Sequence, residues 1–269
     1  MKNRFQPKYD SLQVFSNSKT PAGLYARQKW RYEENTENWV RDFISSVKAL
    51  REGQLPNGSW NDSEIDTIKR LFGLHLTVRE IDDSIELALD WLINKRDQTH
   101  FPVIRHMASK NILSNLPFSN GCYEHFVNCA GLFLANCFRW GEEKKVAGPY
   151  DRIGREIEAK GGHLCSIECT NNALRAFVVH KRYSRSRAVM LMVKYLGRRQ
   201  LASGRWKGRT PLYMTLNALA HLDSGNARRQ CIKAIENILK SQNRDGTWGR
   251  VQKEWNTFLV VHALRRLNA

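Results

Sequence analysis

Gln200-Leu-Ala-Ser-Gly204-Arg-Trp206 and Gln242-Asn-Arg-Asp-Gly246-Thr-Trp248 share one spacing: Gln, three residues, Gly, one residue, Trp. The same spacing stands earlier in Gln54-Leu-Pro-Asn-Gly58-Ser-Trp60. The first two copies lie 42 residues apart, and 42 residues before Gln200 stands Glu158-Ala-Lys-Gly-Gly162-His-Leu164, with Gly kept and Trp replaced by Leu. Another 41 residues back is Pro117-Phe-Ser-Asn-Gly121-Cys-Tyr123, again Gly followed by an aromatic. The step from there to Gln54 is 63 residues, half a period too long, which places an insertion near Arg96 to Asn115. Self-similarity on a fixed period of this size marks a repeat architecture in which each unit buries its apolar face on its neighbours.

Each copy joins two helix-like stretches. Before the last one, Arg229 to Lys240 places Ile232, Ile235 and Leu239 at helical spacing. After it, Glu254 to Leu267 is apolar over a wide arc, the pattern of a helix covered on both sides. In the linking motif Gly supplies the positive φ that ends a helix, Gln can satisfy helix-terminal carbonyls, and Trp offers a large packing surface. No stretch alternates with period two, so the chain reads as all-α.

Gln-x-x-x-Gly-x-Trp between outer and inner helices resembles the QW motif of squalene–hopene and terpene cyclases and of the related protein prenyltransferase β subunits. That resemblance implies an α/α toroid over residues 38–269: a double ring of outer and inner helices, five to six hairpins, with a central cavity at the inner-helix ends. Residues 1–37 would form an N-terminal extension, and Tyr25 to Asn38 would fill a sixth outer position. It also implies an isoprenoid-processing enzyme acting on a prenyl diphosphate, with cavity Trp and Tyr stabilising carbocations through their ring faces. The motif residues are architectural, so they identify a fold and leave the reaction open.

Charge narrows the partner. The chain has 43 basic and 26 acidic residues, and from Cys169 to Leu222 there are eleven Lys and Arg with no Asp or Glu. Such a block suits an anion: a diphosphate, an acidic protein, a lipid surface or a nucleic acid. Nucleic acid ranks last, because nothing in the repeat resembles a base-reading code. The alternative to an enzyme is a non-catalytic toroid used as a binding or scaffold module with a basic docking face. The longest apolar runs, such as Ala188 to Val193, are far too short to span a bilayer. The first residues lack an apolar segment behind their charges, so the chain reads as cytoplasmic. Six cysteines in that setting are not expected to be a disulfide framework.

The chemistry-bearing candidates gather at the starts of inner helices. Type II cyclases protonate an alkene with an Asp-x-Asp-Asp string. The nearest match, Glu80-Ile-Asp82-Asp83, leads into an outer helix and reads as an N-terminal acid cluster, with Thr77 as the expected N-cap. Asn120-Gly121-Cys122-Tyr123 resembles the Asp-Gly-Cys-Tyr of zinc prenyltransferases, with Asn in place of the metal-binding Asp. By that resemblance Tyr123 would contact the diphosphate. Independently, Cys122 and His125 lie at i, i+3, and Cys165, Glu168 and Cys169 share a face one repeat later. Adjacent inner-helix starts meet at one rim of a toroid, so Cys122, His125, Cys165 and Cys169 form a candidate zinc ligand set. Packing is the competing account of these cysteines. Glu124 and Glu168 are candidate general acids. Arg205, Lys207 and Arg209 would hold an anionic head, with Tyr213 and Trp255 beside the substrate. Asn171, Asn172 and Asn217 are further polar residues expected to face the cavity.

Overall fold

A computed structural model describes residues 5–94, 113–140 and 143–268. The insertion expected near Arg96 to Asn115 falls mainly outside them. Among the described residues there are eleven α-helices and no strand: α1 (Pro21–Trp30), α2 (Glu37–Arg51), α3 (Glu64–Thr77), α4 (Asp83–Asn94), α5 (Tyr123–Cys137), α6 (Glu143–Ala159), α7 (Ile167–Val178), α8 (Arg187–Arg199), α9 (Leu212–Leu219), α10 (Gly225–Lys240) and α11 (Lys253–Asn268). Side-chain oxygens of Thr20, Thr36, Ser63, Ser166 and Ser186 accept from the first-turn amides and fix where five of these helices start.

The helices form an α/α toroid. Inner helices α1, α3, α5, α7, α9 and α11 each pack on the next, and α11 returns to α1 to close the ring. Outer helices α2, α4, α6, α8 and α10 back them. The periodicity explains this layering: α5 is buried from Phe126 to Ala135 without interruption, whereas outer α8 buries one stripe of Ala188, Val189, Met192, Val193 and Leu196.

The chain's start is arranged differently from the expectation. Residues Tyr25 to Asn38 do not fill a sixth outer position, because α1 is the sixth inner helix. The outer place is taken by the irregular segment before it. There Tyr9 donates its backbone N–H to Gln242 Oε1 at 2.9 Å and accepts from Gln242 Nε2 at 3.0 Å. The described part of this segment, residues 5–37, packs into the ring through α1 and through Gln242.

The repeat motif is the joint between successive units. Gln54, Gln200 and Gln242 each donate Nε2 to the carbonyl of their own motif Gly, at 3.0, 2.9 and 2.9 Å. The same amides reach the next outer element, at Ser84 O (2.8 Å), Gln230 O (2.8 Å) and Tyr9 O. A Cβ on Gly58, Gly162, Gly204 or Gly246 would lie 2.5, 2.4, 2.0 or 2.0 Å from the carbonyl oxygens of Leu87, Leu191, Lys233 and Asp10. All four glycines also have positive φ. Glycine is thus required twice over, for the turn and for backbone-to-backbone approach. Gly121 differs: its φ is not positive, and its missing Cβ makes room for Cys169 Sγ. Trp60, Trp206 and Trp248 are buried, with the indole N–H groups bonded to Glu52 O, Gln230 Oε1 and Ile238 O.

Candidate functional site

The ring encloses a chamber of about 270 Å³ between the inner helices. Its apolar wall comes from Phe72, Phe133, Trp255 and Phe258, with Tyr25 at one side. Its polar groups come from the C-terminal halves of inner helices or just beyond them: His75 and Arg79 after the middle of α3, Arg175 on α7, Asn217 and His221 at the end of α9, and His262 on α11. Among the described residues that line it none is acidic.

The cations are braced mainly by aromatic faces and by amides, with the Glu34 carboxylate also favouring the charge on Arg79. Arg175 lies over the Phe133 ring at 4.9 Å and donates Nη1 to Asn217 Oδ1 at 2.6 Å. Asn217 in turn donates Nδ2 to Leu259 O at 3.0 Å. Arg79 lies over Tyr25 at 4.7 Å and donates Nη2 to Gln28 Oε1 at 2.6 Å. His221 and His262 stack with ring centroids 5.3 Å apart. Five buried polar atoms here have no hydrogen-bond partner: His75 Nδ1, Arg79 Nε, Arg175 Nε, His221 Nε2 and Trp255 Nε1. Such atoms are rare inside folded proteins and mark places where a ligand or water completes the bonding.

Burial sets the protonation. It pushes His75 down to about 4, with Arg175 and Arg79 adding to the shift. It pushes His262 to about 3 and lowers His221 as well, with Arg175 again the next cause. All three imidazoles are half-buried and line the chamber. Arg175 is lowered by burial only to about 10 and stays charged at neutral pH. The chamber therefore holds two cations, neutral imidazoles and aromatic faces.

A second cluster sits where α5 and α7 begin. One ligand atom from each of Cys122, His125, Cys165 and Cys169 lies within 4.8 Å of every other. The sulfur separations are 3.7 Å (Cys122–Cys165), 3.6 Å (Cys122–Cys169) and 3.4 Å (Cys165–Cys169). His125 Nδ1 is 2.9 Å from Cys122 Sγ and 3.4 Å from Cys165 Sγ. The first proton to leave is that of Cys169, pulled down by its hydrogen bond with Cys122 against desolvation, with His125 and Ser166 assisting. Cys122 is raised correspondingly, first by the same hydrogen bond and then by burial. His163, the neighbouring imidazole, is outside the cluster and leans on Tyr195.

Of the residues singled out in the sequence, Trp255 and Asn217 line the chamber and the four Cys/His residues come together. The other candidate catalytic and binding residues are not among those that line the chamber. Arg205, Lys207 and Arg209 are exposed, because their loop turns only its Gly and Trp inward. Glu124 is exposed and Glu168 half-buried, both in first turns, where the helix dipole favours a carboxylate. The Tyr123 hydroxyl donates to Glu64 Oε2 at 2.9 Å. Tyr213 is packed against the core and outside the chamber wall. Asn171 and Asn172 tie inner helices together through Thr215 and Ser119. Cys137, near the end of α5, lines the chamber. Asp82, not Thr77, caps α4, accepting from Ile85 N at 3.0 Å, while Thr77 Oγ1 donates back to Gly73 O at 2.9 Å within α3.

His75, His221, His262, Arg79 and Arg175 were missed because each is a lone polar residue on an inner helix or just past its end. The repeat register held the signal: His75 and His221 both stand fifteen residues after a motif Trp, and His262 fourteen. Arg175 and Asn217 share the position eleven residues after the motif's last residue.

No family model matches the chain. Among solved structures, a protein from Actinoplanes is similar at 16% identity over 97% of this chain and 90% of that chain, with a TM-score of 0.56. An arginine-to-alanine variant of the type II terpene cyclase MstE from Scytonema, in complex with its substrate geranylgeranyl dihydroxybenzoate, is similar at 12% identity, with 93% of this chain and 86% of that chain covered and a TM-score of 0.59. At these identities the likeness shows a shared fold of the terpene-cyclase type.

Proposed function

We propose that the chamber binds a small isoprenoid-type molecule with an anionic head, a prenyl diphosphate or its close analogue, and that this is the toroid's working site. The carrying observation is Arg175, a buried guanidinium with an unpartnered Nε beside an aromatic wall and no ion pair among the described residues; half-buried Arg79, also with an unpartnered Nε, adds a second cation whose charge Glu34 partly offsets. Buried charge without an ionic partner is costly, so an anion in the chamber would relieve both groups. Phe72, Phe133, Trp255 and Phe258 suit a hydrocarbon tail, and their faces suit any cationic character developing along it. The volume of about 270 Å³ is just below the usual ~300–1,000 Å³ of ligand pockets and favours a short chain.

Among the described residues that line the chamber none is a carboxylic acid, so none could make the acid-initiated step of a type II cyclase there. The neutral imidazoles can accept or pass a proton, and the two arginines can hold a leaving diphosphate. Glu254, held by Ser18 Oγ at 2.9 Å, lines a separate cavity of about 170 Å³ that shares Phe72, Leu76 and Trp255 with the chamber.

A second reading, docking of an acidic partner, draws on the exposure of Arg185, Lys194, Arg198, Arg205, Lys207 and Arg209. No helix among the described residues is long and apolar enough to cross a membrane.

Titration of geranyl diphosphate, geraniol and inorganic pyrophosphate against Trp fluorescence separates the readings. Geranyl diphosphate should bind best of the three. Arg175→Met should weaken it about tenfold or more, since hydrogen bonds to charged groups contribute about 1.5–3 kcal/mol. An Arg205→Gln, Lys207→Gln, Arg209→Gln triple variant should bind as the parent does. Equal affinity of the Arg175 variant, or binding lost in the triple variant and abolished by salt, would reject the chamber in favour of surface docking.

A further inference from the structure

The four-residue cluster at the starts of α5 and α7 lies apart from the chamber wall and is not used by the function proposed above. We infer that Cys122, His125, Cys165 and Cys169 bind one zinc ion in a closed Cys3His site that staples two neighbouring repeat units together at the rim of the ring.

Geometry carries the assignment. Zn–S bonds of about 2.3 Å in a tetrahedron give S···S edges of about 3.8 Å. The three sulfur separations, 3.4 to 3.7 Å, match that figure. They are far beyond the ~2.05 Å of a disulfide. The fourth corner is His125 Nδ1. Its other nitrogen, Nε2, faces Glu156 Oε2 at 3.3 Å, and Glu156 Oε1 accepts from Lys160 Nζ at 2.8 Å. A carboxylate behind a ligating imidazole is the usual outer shell of a metal-bound His, because it fixes the ring and raises its basicity.

The backbone is shaped to the same end. Cys122 occupies the N-cap of α5, yet its thiol makes no capping bond and turns to the cluster. Its N–H donates to Cys169 Sγ at 3.1 Å. A Cβ on Gly121 would come within 2.6 Å of that sulfur, so only glycine lets the chain pass so close. Both helix N-termini point their positive ends at the cluster, which favours thiolate over thiol. With four protein ligands no coordination position is left for water, so the ion is structural. This is where the chain parts from the zinc prenyltransferases it resembles: α7 supplies two further thiolates instead of a later histidine completing an open site. On binding, zinc gives up its waters and the thiols give up their protons to solvent, with no change of oxidation state.

The test uses the full chain purified without chelator. Elemental analysis should give one zinc per chain. After the zinc is removed and cobalt added, the protein should show the intense visible bands of tetrahedral cobalt and a thiolate-to-cobalt charge-transfer band. Cys165→Ala should abolish stoichiometric metal, whereas Cys231→Ala, buried in α10, should keep it. Glu156→Gln should weaken zinc about 10–100-fold in a chelator competition. Wild-type protein that carries no zinc and takes up neither zinc nor cobalt would overturn the assignment, as would a weak octahedral cobalt spectrum. So would a Cys165→Ala variant with unchanged metal content. None of these measurements uses a prenyl ligand, so the zinc site and the chamber stand or fall separately.

Discussion

Gly204→Ala and Gly53→Ala form a matched pair that isolates how neighbouring units are joined. Both glycines follow an outer helix with positive φ, +82° and +75°. An alanine in that region costs about 1–2 kcal/mol at either place. The difference is space. Nothing lies within 4 Å of a Cβ on Gly53, whereas one on Gly204 would sit 2.0 Å from Lys233 O and 2.6 Å from its carbonyl carbon. Both neighbouring atoms are helix backbone, which cannot rotate away as a side chain can. The loop must back off α10 by roughly an ångström, a steric strain of about 1–3 kcal/mol. That displacement also draws Gln200 Nε2 away from Gln230 O, now 2.8 Å distant, a further loss of about 1 kcal/mol. Gly204→Ala should therefore cost about 3–6 kcal/mol and Gly53→Ala about 1–2 kcal/mol. Urea unfolding of both variants, with m-values compared to confirm a common transition, measures the difference. Losses equal within about 0.5 kcal/mol would refute the claim that glycine serves the approach of the next helix as well as the turn.

Trp248→Ala should cost about 3–5 kcal/mol, because the ring is fully buried and its N–H is bonded to Ile238 O at 2.8 Å; a loss below about 1 kcal/mol would mean that the motif Trp is not a packing residue. Stability should fall as pH drops from 7 to 5. The unfolded chain protonates its histidines near 6.5, whereas His75 and His262 hold out to about 4 and about 3 in the fold. Between those values the unfolded state binds more protons, so each such histidine removes on the order of 1.4 kcal/mol per pH unit below about 6.5. Urea midpoints at pH 7, 6 and 5, measured in chelator so that metal release does not intervene, should decline, and decline less in His262→Gln. A flat profile would contradict neutral burial of these imidazoles.

The fold was legible because a repeat prints its joints at fixed intervals. Three intact motifs and a conserved-spacing Gly162 located the turns, and Gly162 does meet its outer helix as Gly58, Gly204 and Gly246 do. What the local sequence does not hold is the identity of the other side of each joint. Gly246 meets Asp10 from the opposite end of the chain, and that pairing exists only because the ring closes. The misplacement of residues before Asn38 has the same cause. An irregular segment can fill an outer position once Gln242 grips its backbone, and no periodicity announces it. The Cys/His candidates were legible as two helical half-sites, since spacing of three and four residues sets a face. The chamber was not, since its polar residues are scattered one per helix and become a group only around a closed ring.

Helix direction accounts for both what was found and what was misplaced. Inner and outer helices alternate along the chain, so the six inner helices run the same way and their dipoles add on the ring axis. Each contributes roughly half a positive charge at its N-terminus and half a negative charge at its C-terminus. The N-terminal rim accordingly collects anionic groups: Glu64 and Asp66 on α3, Glu124 on α5, Glu168 on α7, Glu254 on α11, and the cysteine thiols. The C-terminal side collects cations, Arg79 and Arg175 among them, together with neutral imidazoles. Candidate acids sought at inner-helix starts are thus found there for reasons of field, with no need of a catalytic role. The same field favours the two guanidiniums, because converging helix C-termini carry partial negative charge, with Glu34 adding to it at Arg79. The part of their charge that remains unbalanced is what the anionic ligand proposed above would meet.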